Sequence, residues 1–362
     1  MTKISEKCVS CGLCSNCCSL LTEIRQSPLV MEQRGITAIE AFSCSLCGAC
    51  ETACPQGCSP KKMFADRRNE AVRTGEIDIA EYRYLFPDRK NNVMNAYRDY
   101  CGTNYHDLNS FNEIETCFFP GCTLMTYSPD LTRGIFANLK ASGNCQGMWT
   151  DCCGKPLEQL GLQQRFIETQ KRLIKFVQDH QIKRIIVACP GCYYNLLNVF
   201  PTGKVVIQSV YEVLNFPKPA AGKDHYYTIH DSCPDRFNGK FGSEVRQALH
   251  QCHFSMVEMI HNRKNTICCG SGGQLAHFRP DLTEQLVKLR QTEARQAGAD
   301  VLVGYCLSCV LKYDNQESGI PVTHALNLLL GLKEDFRGAK KRARDMISGP
   351  EGEKKWLEIM AD

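Results

Sequence analysis

From residue 116 onward the chain alternates long helical patterns with short apolar runs. Phe166, Ile167, Leu173, Ile174 and Val177 recur at the three- and four-residue steps of a helix with one buried face. The run from Ile185 to Ala188 follows, short and apolar, as a buried strand would be. The same succession then returns: Leu282, Leu286, Leu289 and Ala297 mark a second helix, and Val301-Leu302-Val303 a second strand. This alternation predicts α/β units with small parallel sheets. Upstream the pattern is helical only. Ser27-Pro28 opens a short helix that Gly35 ends, and Thr37 to Phe42 reads as another. Ser59-Pro60 supplies an N-cap and a first turn for a helix reaching Thr74-Gly75, and Asn91 to Tyr100 forms one more. Arg67, Arg68 and Arg73 are expected on a solvated helix face. Past Gly331 charges of both signs accumulate (Lys340, Lys341, Arg342, Arg344, Glu351, Glu353), which predicts a solvated helix and tail. The apolar stretch from Leu326 to Leu332 is broken by Asn327 and Gly331. It falls far short of the roughly 20 residues of a membrane span, so no direct span is expected.

Cysteine punctuates this pattern. The first α/β stretch carries Cys122, then Cys152-Cys153-Gly154, then Cys189-Pro190-Gly191-Cys192. The second carries Cys233, then Cys268-Cys269-Gly270, then Cys306-Leu307-Ser308-Cys309, at offsets of 111, 116 and 117 residues. Two copies imply two lobes related by a pseudo-twofold. Each Cys-x-x-Cys is placed where a strand ends and a helix opens, so that backbone N–H groups and the helix dipole favour anionic sulfur. Adjacent cysteines direct their thiols apart, which suits ligation of one metal centre better than a disulfide. Gly154, Gly270, Gly272 and Gly273, beside the pairs, are expected to let backbone approach a bound cofactor closely. The run Gly270 to Gly273 lacks the rest of a dinucleotide fingerprint, and no flavin motif is present in the chain.

The N-terminal block is sharper still. Cys8, Cys11, Cys14 and Cys18 are followed by Cys44, Cys47, Cys50 and Cys54-Pro55, each run stepping by three, three and four residues. Three closely stepped thiolates wrap three corners of a cube, and the fourth comes from the other run. The expected sets are Cys8, Cys11, Cys14 with Cys54, and Cys44, Cys47, Cys50 with Cys18. Cys17 is an alternative to Cys18, and a pair of zinc sites is the alternative to two cubane [4Fe-4S] clusters.

Composition narrows the setting. The chain has 362 residues and 24 cysteines. It is too long to need a disulfide scaffold, and the stretch from Met1 to Cys8 has no apolar signal core. A reducing, cytoplasmic compartment is expected, with membrane association only through a partner. The formal charge of +4 is too weak to argue for nucleic acid.

The two cysteine copies together resemble the tandem CCG domain. Behind an N-terminal ferredoxin block, the arrangement is similar to the D subunit of heterodisulfide reductase. It is similar also to the C subunit of anaerobic glycerol-3-phosphate dehydrogenase and to related subunits of lactate and glycolate oxidation. The 25 residues between Cys18 and Cys44 resemble the α-helical ferredoxin domain of respiratory iron–sulfur subunits. The resemblance implies two non-cubane [4Fe-4S] clusters. One set would be Cys122, Cys152, Cys153, Cys189 and Cys192; the other Cys233, Cys268, Cys269, Cys306 and Cys309. The first gap, 29 residues, is slightly shorter than the family's usual one, which leaves Cys117 as an alternative to Cys122. The expected division is a two-cubane ferredoxin domain at 1–60, a helical connector at 61–115, CCG lobes at 116–220 and 221–332, and a charged tail at 333–362. The expected function is reduction of a disulfide substrate in the cleft between lobes. Electrons would come from another redox subunit: a flavoprotein, a cytochrome b or a ferredoxin-like donor. A relay subunit of a flavoprotein dehydrogenase and a zinc-rich interaction protein are the alternatives. His230 and His324, matched by Phe119 and Ser209 in the first copy, are candidate proton donors confined to the second lobe. Cys17, Cys58, Cys101, Cys117, Cys145 and Cys252 are expected to be small buried hydrophobes.

Overall fold

The computed structural model describes residues 3–108, 114–201, 203–216, 225–314, 319–334 and 336–361. The expected boundary between the lobes, at 220/221, lies outside the described residues.

Each lobe is built on a four-stranded parallel sheet with helices packed on it. In lobe 1 the strands are β1 (Thr116–Phe119), β2 (Gly147–Met148), β3 (Arg184–Val187) and β4 (Val206–Ser209), in the order β2-β1-β3-β4. In lobe 2 they are β5 (Tyr226–His230), β6 (Ser255–Met256), β7 (Val301–Gly304) and β8 (Val322–His324), in the equivalent order β6-β5-β7-β8. Phe119 pairs with Val187 and Val187 with Ser209; His230 pairs with Gly304 and Gly304 with His324. The register therefore superposes His230 on Phe119 and His324 on Ser209. The central strands β1, β3, β5 and β7 are buried along nearly their whole length, as strands covered on both faces must be. The long helices Gln163–Asp179 and Pro280–Gln296 lead into β3 and β7 and bury Leu173 and Leu286 among other residues.

The N-terminal region is helical and its caps are local. Ser27 accepts from the Val30 amide, and Thr37 and Glu40 form a reciprocal capping box. Ser59 accepts from the Lys62 amide with Pro60 in the first turn, opening the helix Pro60–Arg73. That helix departs from the expected solvated face. Arg68 is fully buried. It donates to the carbonyls of Ala41 (2.9 Å), Gln159 (2.6 Å), Gly273 (2.8 Å) and Cys44, so one guanidinium joins the N-terminal cysteine-rich region to both lobes. Arg67 is mostly covered as well, donating to the Ile36 carbonyl and pairing with Glu76. A five-donor fork can satisfy several carbonyls at a junction where an apolar residue would leave them orphaned.

The expected solvated tail is also corrected. Helices Phe336–Asp345 and Gly349–Met360 bury Phe336, Ala339, Met346 and Ile359. Tyr97 donates to the Ala339 carbonyl at 3.1 Å, and Arg83 and Arg89 donate to carbonyls at Met360 and Ile359. The charges occupy the outer face of an amphipathic pair, and the inner face closes the core of the connector. Among the described residues no helix is long and apolar enough to cross a membrane.

Candidate metal centres

The N-terminal cysteines come from both runs in each of two places. Cys8, Cys11, Cys14 and Cys54 line one pocket, with Cys58 and Pro28 in its wall. The Cys54 sulfur accepts from the Cys58 amide at 3.4 Å. Cys44, Cys47 and Cys50 gather with Cys18, their thiols close enough to influence one another's ionisation. Burial pushes the Cys44 thiol up to about 12, against the opposing pull of Arg68; a thiolate there requires a cationic partner. Cys17, the sequence alternative to Cys18, is exposed and turns its thiol to the Cys14 carbonyl.

In lobe 1, Cys122 opens the helix Cys122–Tyr127 directly after β1, and Cys189 caps the helix Pro190–Val199 after β3. The adjacent pair splits: Cys152 Sγ lies 3.7 Å from Cys122 Sγ, and Cys153 Sγ 3.5 Å from Cys192 Sγ. Cys117 is buried in β1 within the apolar core, away from this group. Lobe 2 repeats the arrangement. Cys268 and Cys233 stand close enough to shift one another's ionisation, and Cys269 Sγ lies 3.1 Å from Cys309 Sγ. Cys306 caps Leu307–Tyr313 after β7.

The lobes meet along these cysteines. Cys189 of lobe 1 and Cys306 of lobe 2 stand close enough to shift one another's ionisation. The helix after each Cys-x-x-Cys packs against the segment that opens at the first cysteine of the other lobe. Thr123 Oγ1 and Ser308 Oγ are 3.3 Å apart, and Tyr194 donates to Asp235 at 2.5 Å. At the far side of lobe 2, Cys47 of the N-terminal cysteine-rich region and Cys268 stand close enough to shift one another's ionisation. Thiols thus follow one another from the Cys44 group through lobe 2 to lobe 1. Arg236, nearly buried, donates to the carbonyls of Cys47 (3.1 Å) and Thr266 (2.6 Å) beside this junction.

The donor set fits iron–sulfur chemistry. Each lobe offers five sulfurs, all fully or partly buried, and soft thiolates are the ligands such clusters take. Gly121 (φ 90°) borders the lobe 1 group, and a Cβ there would fall 3.2 Å from Cys192 Sγ. Gly121 lay outside the sequence expectation; its signal was the Pro120-Gly121-Cys122 step.

The four expected cofactor glycines press mainly on protein. A Cβ on Gly154 would meet Thr169 at 2.9 Å, and one on Gly270 would meet Thr283 at 2.7 Å. Gly272 and Gly273 lie on the backbone of Ser45 and Cys44. They bring the lobe 2 pair against the N-terminal cysteine-rich region, and Gly272 also borders Cys233 Sγ.

Both candidate histidines are buried in lobe 2. Burial, and then the Arg290 guanidinium, pushes the His230 imidazole down to about 3. A ring nitrogen of His230 and the sulfurs of Cys269 and Cys309 lie within 4.8 Å of one another. Burial lowers His324 to about 4; its Nδ1 accepts from the Leu326 amide at 3.2 Å, capping the helix Ala325–Leu330. Ser209 caps its own helix in lobe 1. Of the remaining cysteines, Cys58 sits at the first ferredoxin pocket, and Cys117, Cys145 and Cys252 lie in the main apolar core.

One family matches the chain: CCG, a cysteine-rich domain, over residues 116–197 and 227–313. Among curated relatives, the B subunit of the fumarate reductase (CoM/CoB) of Methanothermobacter marburgensis is 23% identical over 91% of this chain and 72% of that protein. The D subunit of the dihydromethanophenazine:CoB–CoM heterodisulfide reductase of Methanosarcina barkeri is 24% identical over 75% of this chain and 71% of that protein. Lactate utilization protein A of Macrococcus caseolyticus is 25% identical over 46% of this chain and 73% of that protein. With one match on each lobe, the chain is an iron–sulfur CCG cysteine-rich-domain protein related to the D subunit of heterodisulfide reductase and to the lactate utilization proteins.

Proposed function

We propose that this chain is an electron-carrying subunit that reduces a disulfide at the line where its two lobes meet. The observation that carries the reading is the meeting of two equivalent five-cysteine groups at the lobe interface, where the helix after each Cys-x-x-Cys packs on the segment at the first cysteine of the other lobe. Cys8, Cys11, Cys14 and Cys54 would hold one cubane cluster, and Cys44, Cys47, Cys50 and Cys18 a second. The ten CCG cysteines would hold two non-cubane clusters, five each. Such clusters, when bound, supply one-electron storage and iron that binds sulfur.

The chain's own residues do the rest. Cys47 against Cys268 places the ferredoxin block beside lobe 2, and Gly272 and Gly273 remove the side chains that would hold them apart. The overall step is R–S–S–R′ + 2 e⁻ + 2 H⁺ → RSH + R′SH. The electrons come from a reduced redox partner, a flavoprotein or ferredoxin-like donor, and the protons from solvent. The likeness to lactate utilization protein A supports a second reading, relay from a flavoprotein dehydrogenase without a substrate of its own.

Anaerobically prepared protein, supplied with reduced viologen and a panel of mixed disulfides, separates the two. Thiol release with about two electrons consumed per disulfide supports the reductase. Rapid electron exchange with a flavoprotein and no thiol release supports the relay. Zinc in place of iron and acid-labile sulfide overturns both.

A further inference from the structure

The first N-terminal pocket holds one thiol more than a cubane cluster needs. Cys8, Cys11, Cys14 and Cys54 line it, and Cys58 lines it with them. A cubane takes one thiolate at each of its four irons. The surplus thiol is placed by local backbone geometry. Pro55 and Gln56 form a tight turn, closed by the Gly57 amide on the Cys54 carbonyl at 3.3 Å. Gly57 then takes a φ of 63°, in the left-handed region that glycine adopts freely. That reversal folds the chain back, and the Cys58 amide reaches Cys54 Sγ at 3.4 Å. Ser59 follows at once as the N-cap of the helix Pro60–Arg73, which fixes Cys58 from its other side.

A cysteine sulfur lies no more than about 4 Å from its own amide nitrogen, so the sulfurs of Cys54 and Cys58 are held within about 7.5 Å of one another in any rotamer. Rotation about the Cys58 Cα–Cβ bond moves its sulfur by about 3 Å, with the backbone at rest. Cys58 is buried, at 8% exposure, and Cys54 only partly so. The other cysteines outside the expected ligand sets are placed differently. Cys117, Cys145 and Cys252 are fillers of the main apolar core. Cys17 is exposed and turns its thiol to the Cys14 carbonyl at 3.4 Å. Among the described residues Cys58 belongs to none of the apolar clusters; it shares a pocket with four thiols instead.

We propose that Cys58 is a reserve ligand for the Cys54 corner of this centre and takes the iron when Cys54 leaves it. The proposal rests on the reading that Cys8, Cys11, Cys14 and Cys54 hold a cubane cluster. The exchange needs no oxidant or reductant. The Fe–S bond to Cys54 breaks, one to Cys58 forms, and the proton of the Cys58 thiol passes to the Cys54 sulfur. Charge and electron count are the same before and after. The two sulfurs are not equivalent in the resting molecule. The Cys58 amide donates to Cys54 Sγ, and a hydrogen bond to the anionic form favours a thiolate there. Cys54 is therefore the resident ligand and Cys58 the reserve. Cys11 is exposed and Val9 is 60% exposed at the rim of the pocket, so water reaches this centre. A second sulfur at one corner keeps the fourth iron in place when water displaces the first.

The test is iron and acid-labile sulfide per chain, with EPR spectra and potentials, on the full-length protein prepared anaerobically. Cys54→Ala removes the resident sulfur, Cys58→Ala the reserve, and the double variant both. The expected result is that each single variant keeps all four irons of this centre. The double variant loses at least one and shows a three-iron signal, with the iron of the lobes unchanged. Iron loss in Cys54→Ala equal to that in the double variant overturns the proposal. So does iron loss in Cys58→Ala alone, because Cys58 would then be the resident ligand. Should Cys54→Ala not fold, Cys54→Ser and Cys54→Ser/Cys58→Ala carry the comparison, since serine keeps an acceptor for the Cys58 amide. The two should differ in iron content or in the potential of this centre, and identity in both overturns the proposal. A wild-type protein with no iron or labile sulfide removes the cluster reading itself, an outcome the metal assay separates from the others.

Discussion

In lobe 1 the helix Gln163–Asp179 presents Leu173 to the core, and Phe176 stacks on Trp149 at 4.3 Å. In lobe 2 the equivalent places of Pro280–Gln296 are Arg290 and Glu293, a buried ion pair at 2.7 Å. The two lobes share strand order, register and all five cysteine positions, yet fill the space behind the cysteines with opposite chemistry. A buried ion pair is a poor way to stabilise a core, since its desolvation offsets most of its attraction. Leucine and phenylalanine do the same packing in lobe 1 at no such cost. The polar filling of lobe 2 therefore points to the cysteines beside it rather than to stability. It also coincides with position, because lobe 2 packs on the N-terminal cysteine-rich region where Gly272 and Gly273 meet Ser45 and Cys44.

The comparison breaks most visibly at that junction. Cys268→Ser and Cys152→Ser are equivalent changes, and each should cost its own lobe about four of the roughly sixteen irons expected of four clusters. Only Cys268→Ser should also slow reduction of the other lobe. That slowing, read by stopped-flow with a reduced donor, should exceed about tenfold, or about 1.4 kcal/mol of barrier. Equal slowing by both variants would mean that electrons do not enter through lobe 2.

Next in size is Arg68→Ala. It leaves four carbonyls at the meeting point of three regions without their donor. A loss of about 3–5 kcal/mol is expected, seen as a lower Tm. Arg68→Lys should recover part of it.

A third contrast is between His324 and Ser209, which cap equivalent helices. The folded pKa of His324, about 4, lies below the unfolded value near 6.5. The unfolded chain then binds more protons between those limits. The stability contributed by the neutral ring is complete above about pH 6.5 and is lost as the pH falls towards 4. The loss should reach about 3 kcal/mol. His324→Ser installs the cap lobe 1 uses and should flatten the acid side of a Tm-against-pH profile. An unchanged profile would assign the acid loss to another group.

The smallest effect belongs to the cysteines outside the centres. Cys117→Ala and Cys145→Ala remove buried sulfurs from the lobe 1 core, at about 1 kcal/mol each and with iron content unchanged. Iron loss in Cys117→Ala would return it to the ligand set.

Much of this was legible in the sequence because it is local. Ser27-Pro28, Thr37 with Glu40, and Ser59-Pro60 announce helix starts that need only their own backbone. The periodicity of Leu282 and Leu286 and the apolar run at Val301 yield a helix and strand wherever that face is covered. The cysteine offsets yield the duplication, and the register confirms the pairing of His230 with Phe119 and His324 with Ser209. Arg68 misled because a helical sequence says which residues share a face and not what will cover it. Lys340 to Arg344 misled for the related reason that Ala339 and Met346 have a partner surface only once the connector has folded.

By itself, then, the sequence determined the spacing of the cysteines, the two equivalent lobes and the helices and strands that carry them. Spacing of a few residues along the backbone decides such things. The tertiary structure alone decided how the lobes meet the N-terminal cysteine-rich region, which arginines are buried, and what stands behind each set of cysteines. Cys47 and Cys268, Arg68 and Gly273, and His230 and Arg290 are each separated by 60 or more residues. Their contacts follow from packing whole lobes together, which no local pattern encodes.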